Sequence, residues 1–230
     1  MKKLVIVGCG RLAGIVSDAV VNGLLPEYDL VGVYSRTAEK AERIVAKMQQ
    51  HGKTCMACTT IEDLLALKPD YLVEAASPAA MKELALPALK NGTSIVTLSI
   101  GALADTAFYQ EVMKTAKVNG TRVYIVSGAT GGFDVLRTAS LMGNATAKFF
   151  NEKGPNALKG TAVYDEALQT EQRVVFSGNA TEAIAMFPTK VNVAVAASLA
   201  SVGPENMQMS MQSTPGFVGD TPVSYTHLTL

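Results

Sequence analysis

The residues best suited to chemistry form a glycine-rich turn near the start of the chain. Residues 4–14 read LVIVGCGRLAG, an apolar run followed by the spacing Gly8-x-Gly10-x-x-Ala13. Gly8 permits a tight turn, Gly10 lets the backbone approach a phosphate, and Ala13 lets the following helix pack close to its strand. That helix offers unpaired N–H groups and a partial positive charge to an anion. The pattern predicts a dinucleotide-binding turn, with a glycine turn in an unrelated α/β protein as the alternative.

The end of the second expected strand bears on which dinucleotide is bound. Strand 30–34 runs into Ser35-Arg36-Thr37, so no Asp or Glu follows it to bind a ribose 2′-hydroxyl. Ser35 and Arg36 suit a 2′-phosphate instead, through a hydroxyl donor and a guanidinium. The pair favours NADP, or the use of both cofactors, over strict use of NAD. The alternative is that Arg36 is a solvated surface residue.

Composition narrows the class of protein. The chain has 230 residues, of which 48% are hydrophobic and 17% are charged, so one large or two modest folded domains are expected. Its formal net charge is zero and it has no basic run, which argues against nucleic acid as a partner. No apolar stretch reaches about 18 residues, so no membrane span is expected. The apolar run after Met1 is too short for a signal peptide, and a cytoplasmic location is expected.

Three cysteines and two histidines offer little evidence for a metal or redox site. The odd, sparse set Cys9, Cys55 and Cys58 is typical of a reducing compartment. Cys55 and Cys58 have C-x-x-C spacing, but there is no second pair and neither histidine has a ligand-like spacing. We therefore expect no metal, interpret Cys55 and Cys58 as ordinary packing or surface thiols, and expect Cys9 to fill space in the glycine turn, with a nucleophilic role for Cys9 as a minor alternative. His51 is expected to end a helix and complement its dipole.

The first 126 residues alternate strands with helices. Six strands separated by helices predict an α/β fold, with a Rossmann domain and its doubly wound parallel sheet at residues 1–126. The expected strands are 4–7, 30–34, a short one near Cys55, 70–74, 94–98 and 122–126. The expected helices include 38–50, 61–67, one starting at Pro78 and one from Asp105 to about Val118.

The alternation changes after Ser127. We expect a second, incomplete α+β domain at residues 127–221, which carries the substrate site, and a doubtful tail at residues 222–230. The expected helices are 134–142, 181–186 and 191–201, and the expected strands are 146–150, 161–164, 173–177 and 207–212.

Two stretches of the second domain suit a substrate site, which is usually formed in the cleft between two such domains. In Ser127–Asp134, glycines let the backbone approach a ligand, and the following helix can direct N–H groups at a carboxylate. A flexible linker is the alternative. In Phe187–Val193, Lys190 and Asn192 are polar points beside an Ala/Val helix. Asn192 as a helix cap is the alternative there.

Three motifs together resemble one family. Ala76-Ser-Pro78, the run SGATGGFD at 127–134 and the run FPTKVNVA at 187–194 are similar to the L-aspartate dehydrogenase family, from residue 4 to about 221. The resemblance implies oxidation of L-aspartate with NAD or NADP to iminoaspartate. That product hydrolyses to oxaloacetate and ammonia, or feeds quinolinate synthesis toward NAD. It also implies a homodimer when the chain is full-length.

The resemblance also implies where ligands bind. Asn192 suits a contact near the nicotinamide or its ribose, and the small Ala129 lets the backbone approach the ring. The residues that bind the substrate carboxylates are unassigned; Arg137 and Lys190 are candidates, with a plain surface charge as the alternative for each. The expected cofactor contacts are Gly8, Gly10, Arg11, Leu12, Ala13, Ser35, Arg36, Ala76, Ser77, Ala129 and Asn192. The expected substrate contacts are Gly131, Gly132 and Lys190.

One position near the end of the chain departs from the family pattern. The resemblance implies a catalytic His at position 222, where this chain has Pro222. Residues 222–230 do not resemble the strand that should follow, so we favour a family sequence cut short near residue 221 over a true variant. His227 is five positions out of register and a weak substitute. We expect cofactor binding with poor turnover. The rival hypotheses are a two-domain dehydrogenase of the homoserine or dihydrodipicolinate type and a non-catalytic dinucleotide-binding protein.

Overall fold

The first part of the chain folds around a parallel sheet of six strands. The computed structural model describes residues 1–228 except 129, 144, 189 and 219, and only the backbone of residues 220–228. The strands are β1 Lys2–Val7, β2 Tyr28–Tyr34, β3 Met56–Cys58, β4 Tyr71–Glu74, β5 Ser94–Thr97 and β6 Val123–Ile125. Their order is β3-β2-β1-β4-β5-β6, and every pairing is parallel. This order confirms the predicted doubly wound Rossmann sheet.

Five helices connect these strands. They are α1 Arg11–Val21, α2 Ala38–Gln50, α3 Ile61–Ala66, α4 Pro78–Lys90 and α5 Thr106–Val118. Helix α2 has the predicted bounds, because Ala41, Ile44 and Met48 recur at helical spacing and are buried on one face. Its C-cap is His51, at the helix end as predicted, and the Nδ1 of this histidine lies 2.9 Å from the carbonyl oxygen of Lys47. Helix α4 starts at Pro78, where the missing N–H costs no helical hydrogen bond.

The rest of the chain forms a second unit with a mixed sheet. Its elements are α6 Phe133–Leu141, β7 Ala145–Lys153, β8 Arg173–Asn179, α7 Ala180–Met186, α8 Asn192–Leu199, β9 Gln208–Ser213 and β10 Asp220–Leu228. The strand order is β10-β7-β9-β8, in which β7 and β9 are parallel and the outer pairings are antiparallel. Contacts within the chain assign residues 103–105 and Ser127 onward to this unit, and residues 1–102 and 106–126 to the first.

A hydrophobic core fills the second unit. Inward residues of the strands, among them Phe149, Phe176 and Met209, pack with Phe187 and the apolar helix α8. Phe176 and Phe187 meet edge to face, with ring centroids 5.8 Å apart. Among the described residues, none of the helices is both long and apolar enough to cross a bilayer.

Two expectations for the second unit are wrong. Residues 161–164 were expected as a strand, but they form a turn in which Thr161 Oγ1 donates to Leu158 O at 2.6 Å and Tyr164 N donates to Thr161 O at 3.3 Å. These local bonds compete with strand pairing. The segment from Pro222 was expected not to be a strand, but it lies in β10, which pairs along the whole of β7. Pro222 is tolerated there because β10 is an edge strand.

Candidate functional site

The glycine turn lies where the strand order of the parallel sheet reverses. The carboxyl ends of β1 and β4 are neighbours there, with Val7 paired to Glu74. Gly8 has φ +89°, and a Cβ built on it would lie 2.6 Å from Ala75 O and 2.7 Å from Ala76 Cα. These are backbone atoms that cannot yield easily, so this position requires glycine for both its conformation and its close contact. Open α/β sheets bind nucleotides at this reversal.

The turn leads into a helix whose first N–H groups are available to a ligand. Gly10 is the N-cap of α1, which has no side-chain cap and no acidic residue in its first turn. A Cβ built on Gly10 meets no atom within 4 Å, so the space in front of the helix is open. Ala13 is fully buried, whereas Arg11 and Leu12 are exposed. An open approach to an uncapped helix N-terminus fits a pyrophosphate.

The predicted ribose-binding pair follows β2 at the same edge of the sheet. Tyr34, the last residue of β2, accepts a hydrogen bond from Gly8 N at 2.8 Å, so Ser35 lies next to the glycine turn. Ser35 Oγ accepts from Thr37 N at 3.3 Å and can still donate. Arg36 is exposed and makes no hydrogen bond or ion pair with another described residue. Its guanidinium is therefore available to a phosphate.

A buried carboxylate that the sequence reasoning missed holds the neighbouring turns. Glu74 ends β4 and is fully buried. Its Oε1 accepts from Ala76 N at 2.8 Å, Ser77 N at 3.0 Å and Ser99 Oγ at 2.9 Å. Its Oε2 accepts from Thr97 Oγ1 at 2.8 Å and Ser99 N at 3.1 Å. Glu74 thereby joins the turn after β4, where two cofactor contacts are predicted, to the turn after β5. The available signal was an acidic residue ending an apolar strand.

Ser77 has a structural role beside its predicted cofactor contact. It is the N-cap of α4, and its Oγ accepts from Ala80 N at 3.2 Å. This cap satisfies one of the first N–H groups of the helix.

The cysteines are packing residues, as predicted. Cys9, Cys55 and Cys58 are buried and free. Burial raises the pKa of the Cys9 thiol to about 11 and that of Cys55 to about 12, and burial is also the main cause of the raised pKa of Cys58. Thiols with such pKa values are poor nucleophiles at neutral pH. No group of three or more metal-ligating side chains occurs in the part of the chain that the structure describes.

The two predicted substrate stretches meet in the second unit. Gly132 has φ +78° and is the N-cap of α6, so the second glycine-rich turn opens a helix as predicted. A Cβ on Gly128 would lie 3.6 Å from Val193 Cγ2, which brings this turn to the start of α8. Thr130 Oγ1 is buried without a hydrogen-bond partner among the described residues. Gly131 is exposed, and Ala129 lies outside the described residues.

The predicted polar residues near α8 differ in their surroundings. Asn192 is the first residue of α8, one position after the N-cap Val191, and it has an interaction partner of its own. Lys190 Nζ donates to the carbonyl oxygen of Ala157, so a substrate would share it with the backbone. Arg137 lies on α6 and is exposed.

Polar residues that the sequence reasoning missed are buried at one end of the second sheet. Asn151 and Lys153 on β7 are each 3% exposed, and Ser213 at the end of β9 is fully buried. In the register of β10 with β7, Pro222 is opposite Asn151. The signal was present in β7, since polar residues continue the inward alternation of Ala147 and Phe149.

Known proteins identify the family. Residues 8–126 match the model of the homoserine dehydrogenase NAD-binding domain, and residues 134–222 match the model of the aspartate dehydrogenase C-terminal domain. The L-aspartate dehydrogenase of Methanococcus maripaludis strain C6 is 31% identical over 213 residues, which cover 91% of this chain and 78% of that protein. The chain belongs to the L-aspartate dehydrogenase family. The first unit is therefore an NAD(P)-binding Rossmann domain.

Two further relatives of the family agree. The L-aspartate dehydrogenase of Methanocaldococcus jannaschii is 32% identical, covering 89% of this chain and 76% of that protein. The crystal structure of aspartate dehydrogenase from Thermotoga maritima has a TM-score of 0.76 at 23% identity, covering 99% of this chain and 85% of that one. That likeness shows a shared fold. The family resemblance inferred from the three sequence motifs is confirmed.

Proposed function

We propose that this protein oxidises L-aspartate to iminoaspartate with NAD(P), and that iminoaspartate then hydrolyses to oxaloacetate and ammonia. The observation that carries the proposal is membership of the L-aspartate dehydrogenase family, with similarity that spans both units. The bound nicotinamide would accept a hydride from the substrate carbon that bears the amine. The residues of this chain bind, orient and exchange protons around that transfer.

The first unit supplies the residues that would hold the cofactor. The uncapped N-terminus of α1, with Gly8, Gly10, Arg11, Leu12 and Ala13, would bind the pyrophosphate. The turn held by Glu74 would present Ala76 and Ser77 to the nicotinamide half, since the second half of such a sheet binds the second nucleotide.

The cofactor preference we propose is NADP over NAD. No carboxylate follows β2, whereas Ser35 retains a donor and the exposed Arg36 has no partner among the described residues. A guanidinium and a hydroxyl stabilise a dianionic 2′-phosphate more than a neutral hydroxyl.

The second unit would bind the substrate. Its second glycine turn, with Gly131 and Gly132, opens α6 and could direct N–H groups at a carboxylate. Lys190 would supply a positive charge beside it. Asn192 and Ala129 are proposed as contacts to the nicotinamide side of the cofactor, and Arg137 as a further carboxylate ligand.

Proton transfer from the substrate amine needs a base, which the family resemblance puts at position 222. Proline has no titratable group, so we propose that Pro222 limits the turnover of this chain without limiting cofactor binding. Homodimerisation and a cytoplasmic location stay predictions of the sequence.

The test is the reduction of NAD(P)⁺ by L-aspartate, followed by absorbance. Wild type, Pro222→His and the matched control Pro222→Ala are compared, with L-homoserine as a second substrate. A positioned base contributes about 10²–10⁴-fold, so Pro222→His should raise kcat by about that factor and Pro222→Ala should not. Cofactor affinity should be equal in all three. Reduction driven by homoserine but not by aspartate would contradict the proposed function.

A further inference from the structure

Three polar side chains are buried together at one end of the sheet of the second unit. Asn151 and Lys153 lie on β7, and Ser213 ends β9. Lys153 and Ser213 are register partners in the parallel pairing of these strands. Asn151 lies two residues before Lys153 and therefore shares its face of the sheet. We call these three residues the polar cluster.

The polar cluster interrupts the apolar pattern of its own strands. The preceding inward positions pack in the hydrophobic core, and they are Ala147, Phe149, Met209 and Met211. By contrast, Asn151 Oδ1 and Ser213 Oγ are buried without a hydrogen-bond partner among the described residues. Lys153, which is only 3% exposed, has an interaction partner of its own and adds a positive charge to the same face of the sheet. Burying the oxygens of Asn151 and Ser213 without partners is costly, and apolar residues at these two positions would avoid that cost.

The groups of the polar cluster suit a small zwitterion with an extra carboxylate. An ammonium and a hydroxyl donate to a carboxylate, and an amide oxygen accepts from an ammonium. We propose that the polar cluster is a substrate subsite, in which Lys153 and Ser213 bind a carboxylate and Asn151 accepts a hydrogen bond from the substrate amine. This inference rests on the proposed function, because L-aspartate is such a zwitterion.

The position of the polar cluster in the fold supports this assignment. Pro222, which stands where the proton-transferring His is expected, is opposite Asn151 in the register of β10. A substrate amine held by Asn151 would therefore lie beside the position of the expected base. The turn after β9 lies over this end of the sheet, since Thr214 N donates to Lys153 O at 3.0 Å. The backbone carbonyl of Phe217 also packs so closely on Gly154 that a Cβ would not fit there.

The experiment measures equilibrium binding of L-aspartate and of succinate, which lacks the amine, to the NADPH-loaded protein by calorimetry. The variants are Lys153→Met, Ser213→Ala and Asn151→Leu, with Lys148→Met as the matched control on the exposed face of β7. Lys153→Met should lower the affinity for both ligands at least about tenfold, as expected for the loss of a charge-assisted hydrogen bond. Asn151→Leu should lower the affinity for L-aspartate and leave the affinity for succinate unchanged. Lys148→Met should change neither.

A stability measurement separates binding from folding. Ser213→Ala removes a buried hydroxyl that has no hydrogen-bond partner in the described part of the chain. Its melting temperature should therefore equal or exceed that of wild type, while both ligands bind more weakly. A fall in its melting temperature with unchanged binding would overturn the subsite.

The outcomes also separate the subsite from the proposed function. Aspartate binding that Lys153→Met leaves unchanged overturns the subsite and leaves aspartate oxidation standing. Succinate binding that Lys153→Met abolishes, with no aspartate binding in wild type, supports a carboxylate subsite and contradicts aspartate as the substrate. A wild type that binds neither ligand overturns the subsite.

Discussion

Replacing Glu74 should loosen the two turns that its carboxylate joins. The side chain is fully buried and accepts five hydrogen bonds, three of them from the backbone N–H groups of Ala76, Ser77 and Ser99. Two of these N–H groups belong to the turn that is predicted to contact the cofactor. A change at Glu74 should therefore lower both stability and cofactor affinity.

The smaller change is Glu74→Gln. In its best orientation the amide oxygen keeps the three donors that reach Oε1, and the amide NH₂ faces Thr97 Oγ1 and Ser99 N. The threonine hydroxyl can rotate to accept, but Ser99 N then faces another donor. Ser99 N still donates to Thr97 Oγ1 at 3.1 Å. We therefore expect the free energy of unfolding to fall by about 1 kcal/mol, which is the low end for a buried group that loses a partner. For a chain of this length the melting temperature should fall by about 2–4 °C.

The larger change is Glu74→Leu. It leaves Ala76 N and Ser77 N without the acceptor they share, at about 1–3 kcal/mol each, so the expected loss is about 2–6 kcal/mol. Removing a buried charge offsets part of this.

Thermal unfolding and NADPH fluorescence titration measure both effects. Glu83→Gln, an exposed carboxylate on α4, is the matched control and should behave as wild type. The order of melting temperatures should be wild type, Glu74→Gln, then Glu74→Leu, with cofactor affinity in the same order. A Glu74→Leu protein that melts and binds NADPH like wild type would refute the role assigned to this carboxylate.

Three further predictions concern the first unit. Gly8→Ala should melt well below wild type, because its Cβ would overlap backbone atoms. Gly10→Ala should melt within a few degrees of wild type but bind NADPH at least about tenfold more weakly. Equal melting temperatures by calorimetry and equal NADPH affinities by titration for the two variants would contradict this. Arg36→Ala should lower the affinity for NADP⁺ by about tenfold or more and leave the affinity for NAD⁺ unchanged. Arg43→Ala, at another exposed arginine, is the control. An equal loss of affinity for both cofactors would argue against a contact with the 2′-phosphate. Cys55 has a pKa of about 12, so at pH 8 about one molecule in 10⁴ carries the thiolate, and iodoacetamide should leave it unmodified by mass spectrometry until the protein is unfolded in urea. Since a raised thiol pKa moves reactivity to higher pH, fast labelling of Cys55 in the folded protein at pH 8 would be the contrary result.

The patterns that repeat along the chain could be read from the sequence. Helix α2 and the start of α4 have their predicted bounds, because apolar spacing and Pro78 are local signals. The turn at 161–164 and strand β10 were misjudged, because their conformation depends on bonds to Leu158 and to the whole of β7. Strand pairing joins residues that are far apart in sequence, so the sequence of β10 alone gives little indication that this segment forms a strand.

The sequence by itself determined the Rossmann sheet and the family, and it predicted a dinucleotide-binding role for the first glycine turn. Each of these rests on residue types at fixed short spacing, such as Gly8 and Gly10 before a helix. Only the tertiary structure revealed that Glu74 joins the turns after β4 and β5 and that Asn151, Lys153 and Ser213 are buried side by side. The physical reason is that hydrogen-bond partners and burial are set by strand pairing across 20 to 60 residues of chain, as in the β4–β5 and β7–β9 pairs. A buried polar group cannot be told from a solvated one until those pairs are known.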